Sequence, residues 1–519
     1  MGHKELFISS VHYRHPTMAF LARDYERMRW LGAGQVLVFP PAESSGAVYV
    51  FPRSAPLNGT LQALLETATS AERHLGPDGG TAYLLYHLPP GTAPAIWPQH
   101  RLRANFGHQI ELLGYDLTPT AAGDSLMVTL YWQVQAPAET GDYLAFVHLQ
   151  DTWRFRWGSS DVFDYPSVEW APGQIIVQRR EIPLAAFTPP GDYGLNVGFY
   201  SQGQDIRLPR FDAQGRVAGT TVELGPVAIE AAPTPPPVEE LAIQQPLPAE
   251  FGSLRLLGFE RDRSSVRQGE TLYLGLFWQA KNLLADLTIS LNLSSEGEDQ
   301  AILLWEGRPV HGTYPTDQWP VGAVVLDRYG LTVPHDAPAG KHRLTLAVAA
   351  YDGTWQPVGD AVALAELLVI AVDRRTVVPP IQHPLQANLG DQIEFLGYDL
   401  DRTEVASGET LHLTLYWRAL AKIETNYTVF THLLDRRDQI RGQQDNPPVG
   451  GSYPTTMWMP GEVVTDEYAL VVDTDAPLGE HVLEIGLYVA ETGQRLPVLD
   501  DAGQIAGDRI LLSQVQVIK

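Results

Sequence analysis

Thr410-Leu411-His412-Leu413-Thr414-Leu415-Tyr416-Trp417 alternates polar and apolar side chains with a period of two. Successive side chains of a strand point to opposite faces, so this stretch reads as a β-strand with one apolar face ending in Trp417. Two other stretches carry the same pattern: Leu126, Val128, Leu130, Trp132 and Leu272, Leu274, Leu276, Trp278. Each tryptophan falls on the buried face of its strand. A core tryptophan on an inner strand is a mark of immunoglobulin-like sandwiches.

Other landmarks recur around these strands in fixed order. Gly114-Tyr115-Asp116 returns as Gly258-Phe259-Glu260 and Gly397-Tyr398-Asp399. Tyr165-Pro166 with Trp170 returns as Tyr314-Pro315 with Trp319 and Tyr453-Pro454 with Trp458. The second and third copies stay in one register, 139 residues apart at Gly258/Gly397, Trp278/Trp417 and Trp319/Trp458. Residues 101–519 are therefore three copies of one module. Seven or eight short strands per copy, separated by turns such as Asp475-Ala476-Pro477-Leu478-Gly479, predict a two-sheet antiparallel sandwich, with a small closed barrel as the alternative. The expected modules are 99–231, 246–372 and 384–519. Proline-rich joints separate them at Ala231–Ala249 and Arg374–Pro384.

Residues 1–98 differ in kind. Leu6–Val11, Gln35–Phe39, Val48–Phe51 and Thr81–Leu88 read as strands, and Thr17–Trp30 and Leu61–His74 as helices. The order β-α-β-β-α-β predicts a small α/β domain. The fold class is thus mainly β: three tandem immunoglobulin-like sandwiches after an α/β segment.

The chain has 519 residues and a net charge of −25. Seven basic and seven acidic residues cancel over the first hundred positions, so the modules carry the whole excess. A phosphate backbone needs a basic footprint, so nucleic acid is not an expected partner, and an anionic membrane surface is disfavoured for the same reason. No cysteine is present, which removes disulfides, thiol catalysis and thiolate metal sites together. No apolar run reaches membrane-spanning length. Met1-Gly2-His3-Lys4 leads straight into an apolar strand, and we expect a fragment whose export signal or membrane anchor lay upstream.

Candidate sites are few. His12 and His15 share a loop after the first strand, which reads as a surface loop or a two-histidine metal or phosphate site lacking a third ligand. Gly32-Ala33-Gly34 reads as a tight turn, since a dinucleotide fingerprint needs a third glycine and a following helix. His148 and His432 occupy matching strand positions, with Asn292 in the second copy. They read as hydrogen-bonded sheet residues, because no nucleophile accompanies them. Asp435, Asp438 and Asp445, like Asp151, Asp161 and Asp164, could suggest calcium, but the spacing is not that of an EF-hand and arginines offset the charge. Tyr165, Tyr314, Tyr453, Trp170, Trp319 and Trp458 have two readings: sugar-stacking platforms, or residues that pin a crossing loop onto the sandwich. Trp153 and Trp157, with Phe155 between them, occur only in the first copy and make a candidate binding loop. No metal site, cofactor or catalytic set is expected.

The third copy carries a family likeness in Leu389-Gly390-Asp391-Gln392-Ile393-Glu394-Phe395-Leu396-Gly397-Tyr398-Asp399-Leu400, Leu413–Trp417 and Pro447-Pro448-Val449-Gly450-Gly451-Ser452-Tyr453-Pro454-Thr455. It resembles a module attached to bacterial membrane glycosyltransferases of the dolichyl-phosphate-mannose mannosyltransferase type, found in green non-sulfur bacteria. His15-Pro16-Thr17-Met18-Ala19-Phe20-Leu21 and Tyr49-Val50-Phe51-Pro52-Arg53 look like the soluble α/β segment that follows the last membrane helix there. The resemblance implies an extracytoplasmic, cell-surface location. It implies a non-catalytic accessory role, binding glycan or positioning an acceptor, with catalysis outside this chain. Polysaccharide or glycoprotein is the expected partner. A structural spacer, or a hydrolase within the α/β segment, are the alternatives.

Overall fold

The computed structural model describes residues 4–12, 14, 25–92, 98–139, 141, 143–162, 164–202, 207–295, 301–351, 354–490 and 492–519. The fold is mainly β, as the two-residue period requires, and it divides into two compact units. The first holds residues 1–241 with 322–326; the second holds 242–321 with 327–519.

In the first unit, β1 (Glu5–Ser10), β2 (Met28–Gly32), β4 (Ala47–Pro52), β5 (Ala71–Leu75) and β6 (Thr81–Leu88) form a sheet in the order β2-β1-β4-β6-β5. The strand β1 runs parallel to β2 and to β4, while β4–β6 and β6–β5 are antiparallel. Helix α1 (Gly59–Glu66) covers the sheet with Leu61 and Leu65, and its cap is Asn58, whose Oδ1 accepts from the Thr60 amide at 2.9 Å.

Three expectations change here. The first predicted helix does not reach Trp30, because Met28–Gly32 is the strand β2; Thr17–Asp24 lie outside the described residues. The second helix ends at Glu66, and Ala71–Leu75 is an exposed edge strand containing His74. An exposed edge strand has no buried stripe, so helical spacing there carried no information. Finally, β3 (Val36–Phe39) does not join the α/β sheet. It pairs antiparallel with Ile175–Pro183 of the first module, Phe39 opposite Ile175. All four of its side chains are buried, and one continuous core runs from Phe7 to Ile229.

Each module is built from two sheets, largely antiparallel. In the third, one sheet pairs Ile393–Leu400, Thr410–Ala419 and Val463–Val471; the other pairs Thr428–Leu434, Gly479–Tyr488 and Ile510–Ile518. Trp132, Trp278 and Trp417 are fully buried, each against the ring of Phe106, Phe251 or Phe395 at 6.0, 6.1 and 5.0 Å.

The recurring Gly-Tyr-Asp has a backbone cause. Gly114, Gly258 and Gly397 have φ of 150°, 159° and 138°, at a register shift where the preceding strand crowds in. A Cβ on Gly397 would press into the His383 carbonyl and Pro384. Gly397→Ala should therefore cost about 2 kcal/mol, through strain and displaced pairing. Equilibrium urea unfolding checks this: a loss as small as that of an alanine placed in an exposed turn would contradict the bulge. The aspartate completes the motif. Asp399 accepts from the Gln382 amide at 2.7 Å and from Tyr416 Oη at 2.8 Å; Asp116 does the same with Gln99 and Tyr131 at 2.7 and 2.6 Å. The second copy replaces both partners together, with Glu260 and Phe277.

Candidate functional site

The Tyr-Pro-x-x-x-Trp loops are built alike. After the proline the chain makes one turn of 3-10 helix: Ser167–Glu169, Thr316–Gln318 and Thr455–Met457. The hydroxyl of Ser167, Thr316 or Thr455 accepts an amide at the start of an earlier strand of its module, from Tyr143, Leu287 or Tyr427 at 2.9–3.0 Å. The indoles of Trp319 and Trp458 donate to the carbonyls of Tyr314 and Tyr453 at 2.9 and 3.1 Å. Each tyrosine hydroxyl donates to the carbonyl four residues on, in Glu169, Gln318 and Met457. Trp170, Trp319 and Trp458 are buried, and so are Tyr165 and Tyr314, while Tyr453 is half-buried. Five of these six rings are buried, and their hydrogen bonds tie the loop to itself.

Two of the loops do more. The guanidinium of Arg29, on β2, donates to Tyr165 Oη at 3.3 Å and to the Glu169 carbonyl at 2.7 Å, while Glu5 holds its Nε at 3.1 Å. In the second unit Arg374, from the joint before the third module, donates to Tyr453 Oη at 2.9 Å and to the Met457 carbonyl at 3.0 Å. It also pairs with Glu462 at 2.7 Å, a carboxylate only 3% exposed. The two arginines grip corresponding atoms. Backbone contacts follow the same plan: Val463 donates to the Arg375 carbonyl at 2.6 Å, at the position where Ile175 meets β3. The polar residue behind each tyrosine also matches. Gln174 donates to Tyr165 and Tyr453 donates to Glu462, whereas Ala323 stands at that place in the second copy. Sequence reasoning missed this seat, because its arginines lie outside the repeats. Comparing Gln174, Ala323 and Glu462 position by position was the available signal.

A second shared feature lies on the other sheet. His148 Nε2 sits 3.0 Å from Asp161, and His432 Nε2 sits 3.2 Å from Asp445. Burial lowers the His148 pKa, with Arg156 adding to the effect and Asp161 opposing it. In the third module the buried Glu484 is clamped by Arg495 at 3.2 Å and Arg509 at 2.9 Å, and Arg495 lies 4.2 Å over the Phe430 ring. These are satisfied sheet networks. One of the aspartates weighed for calcium is fully engaged. Asp435 accepts the Arg437 and Gln439 amides and pairs with Arg441 at 3.0 Å. Among the described residues no group of three His, Asp or Glu side chains is placed to hold a metal ion.

The modules differ in one buried network. In the second, Asp327 accepts from the Val310 amide at 2.9 Å, from Trp278 Nε1 at 3.3 Å and from Tyr329 Oη. In the third, Asp466 accepts from Val449 at 2.8 Å and Tyr468 at 2.6 Å. Burial pushes these carboxyls up, to about 7 for Asp327 and about 6 for Asp466. The folded state thus keeps a proton that an unfolded aspartate releases near pH 4. Stability from this group is full at low pH, declines as pH rises towards 7, and is flat above. Asp327→Asn should remove that slope, which is at most about 1.4 kcal/mol per pH unit. Urea midpoints taken from about pH 4.5 to 7 test it, and parallel profiles for the two proteins would contradict it.

Of the first-copy candidates, Trp153 is 41% exposed. Its loop is organised by Asp151, whose Oδ1 accepts the Trp153 and Phe155 amides at 2.9 Å and whose Oδ2 accepts Trp157 Nε1 at 2.8 Å. Trp157 packs against the core. A feature that was not anticipated is the hairpin of the second module, where Tyr351 and Trp355 are 58% and 49% exposed with ring centroids 5.0 Å apart. His12 borders a cavity at the end of β1 that also meets Asp164; His15 lies outside the described residues. No protein-family model matches the sequence, and no curated protein matches it either.

Proposed function

We propose that this chain is a non-catalytic, extracytoplasmic β-sandwich array that binds glycan, or positions a glycan acceptor, beside a membrane glycosyltransferase. The observation that carries the reading is the division of the aromatics. Five of the six Tyr-Pro-x-x-x-Trp rings are buried and Tyr453 is half-buried, while Tyr351 and Trp355 of the second module stand exposed as a neighbouring pair. A flat apolar ring face stacks on a pyranose, and two tilted rings side by side suit a chain of sugars better than a single small molecule. Trp153 adds a further exposed indole. The acidic balance favours a neutral or basic glycan. Among the described residues no helix is long and apolar enough to cross a membrane. Screening the full chain on neutral polysaccharides by affinity electrophoresis tests the proposal. Retardation by at least one is expected, and free migration through all of them would overturn it.

The arginine seats favour a second reading, a cell-surface spacer with no ligand. The hydrolase reading has a histidine and a carboxylate near one cavity, but the nearby Ser10 hydroxyl donates to the His12 carbonyl at 2.9 Å and not to a ring nitrogen.

A further inference from the structure

The satisfied Asp–Tyr network of the later modules is replaced in the first by Gln178 and Arg180. Arg180 is only 2% exposed. Its Nη1 meets Asp164 Oδ2 at 3.2 Å and the Val162 carbonyl at 3.1 Å, but its Nε and Nη2 have no hydrogen-bond partner among the described residues. Gln178 Nε2 donates to Asp164 Oδ1 at 2.6 Å, while among the described residues Gln178 Oε1, Trp132 Nε1 and Asp164 Oδ2 have no hydrogen-bond partner. Trp417 Nε1 of the third module is unpartnered in the same way, so what sets the first copy apart is Arg180 and Gln178 beside Asp164; each buried unsatisfied group costs about 1–3 kcal/mol, and this cluster calls for an occupant.

Of these residues Asp164 alone borders a cavity, which His12 and Gln35 also line. The cavity, of about 260 Å³, is lined besides by Ser10, Val11, Trp30, Leu31 and Val162. It opens at the carboxyl ends of the parallel strands β1 and β2, and β1 is flanked by β2 on one side and β4 on the other. Open α/β sheets bind their ligands at such a reversal of strand order. The chemistry of the walls narrows the class. Asp164 and Arg180 cancel each other's charge, so an ion of either sign would be buried without a counter-charge. A neutral molecule rich in hydroxyls can donate to the Asp164 carboxylate while its apolar faces meet Val11, Leu31, Val162 and Trp30.

We propose that this cavity is a binding site for a single neutral sugar ring of hexose size, separate from the exposed aromatics of the second module. Its choice of ligand rests in part on the glycan reading above, and the test separates the two. Calorimetric titration of the full chain with glucose, mannose, galactose and N-acetylglucosamine, each up to about 10 mM, should show saturable binding of at least one. Val11→Trp fills the cavity mouth from an exposed position and leaves the charge pair intact. It should weaken that binding at least about tenfold with an unchanged thermal midpoint, and Asp164→Asn should weaken it too. No binding of any of the four sugars, or binding that Val11→Trp leaves unaltered, overturns the site. If polysaccharide retention persists in that case, the array reading survives without it; if hexose binds while no polysaccharide is retained, the reverse holds.

Discussion

Trp417→Ala should destabilise the third module by about 4 kcal/mol, the largest single effect expected in this chain. The indole is fully buried and packs on Phe395, with Leu413 and Leu415 beside it in the same core. Removing it deletes the apolar area and leaves a cavity that the rigid sheets cannot collapse around. In thermal unfolding of the full chain, the transition that carries the third module should fall by about 8 °C. Trp417→Phe should recover more than half of the loss, because the ring contact survives while the volume shrinks. A shift of Trp417→Ala no larger than that of an exposed aromatic would contradict the core assignment.

Arg374→Ala is the second large effect. Truncation removes the donors to Tyr453 Oη and the Met457 carbonyl and leaves Glu462, at 3% exposure, without its counter-charge. Breaking a buried pair from one side costs about 3 kcal/mol or more, most of it the penalty of the stranded carboxylate. The double variant Arg374→Ala/Glu462→Gln should therefore be more stable than the single one. A useful contrast is Arg402, whose partners Asp401 and Glu409 are solvent-exposed; Arg402→Ala should change stability by about 0.5 kcal/mol or less. Equal losses for Arg374→Ala and Arg402→Ala would mean that the joint is not seated as described.

The sandwich was legible because its strands are half-buried. Alternation along Leu411, Leu413, Leu415 and Trp417 is the direct imprint of a core on one side and solvent on the other. The repeat was legible through glycine as well, since Gly114, Gly258 and Gly397 lie within strands at backbone angles that side chains resist. Elements without such an imprint were misread. Ala71–Leu75 is an edge strand with nothing buried, and β3 is apolar on both faces, so its partner could not be inferred from its own residues. The arginine seats were invisible for a different reason. Arg29 and Tyr165 are 136 residues apart, and no local rule links them. Aromatic residues alone could not reveal their own exposure either. Tyr-Pro-x-x-x-Trp and Tyr351-x-x-x-Trp355 have the same two ring types, and only the hydroxyls and carbonyls around them separate a pinned loop from an open hairpin.

On the proposed function, residues shared by the copies build the modules, and recognition belongs to the exposed aromatic residues outside the shared loops. Affinity electrophoresis on a retaining polysaccharide tests this most directly, with Tyr351→Ala/Trp355→Ala run beside Tyr453→Phe. Tyr453→Phe loses the hydroxyl at the joint and should lower the thermal midpoint while being retarded as strongly as the parent chain. Tyr351→Ala/Trp355→Ala should keep the midpoint and lose at least about tenfold in affinity. Undiminished retardation of the hairpin variant, or loss of retardation in Tyr453→Phe, would contradict it.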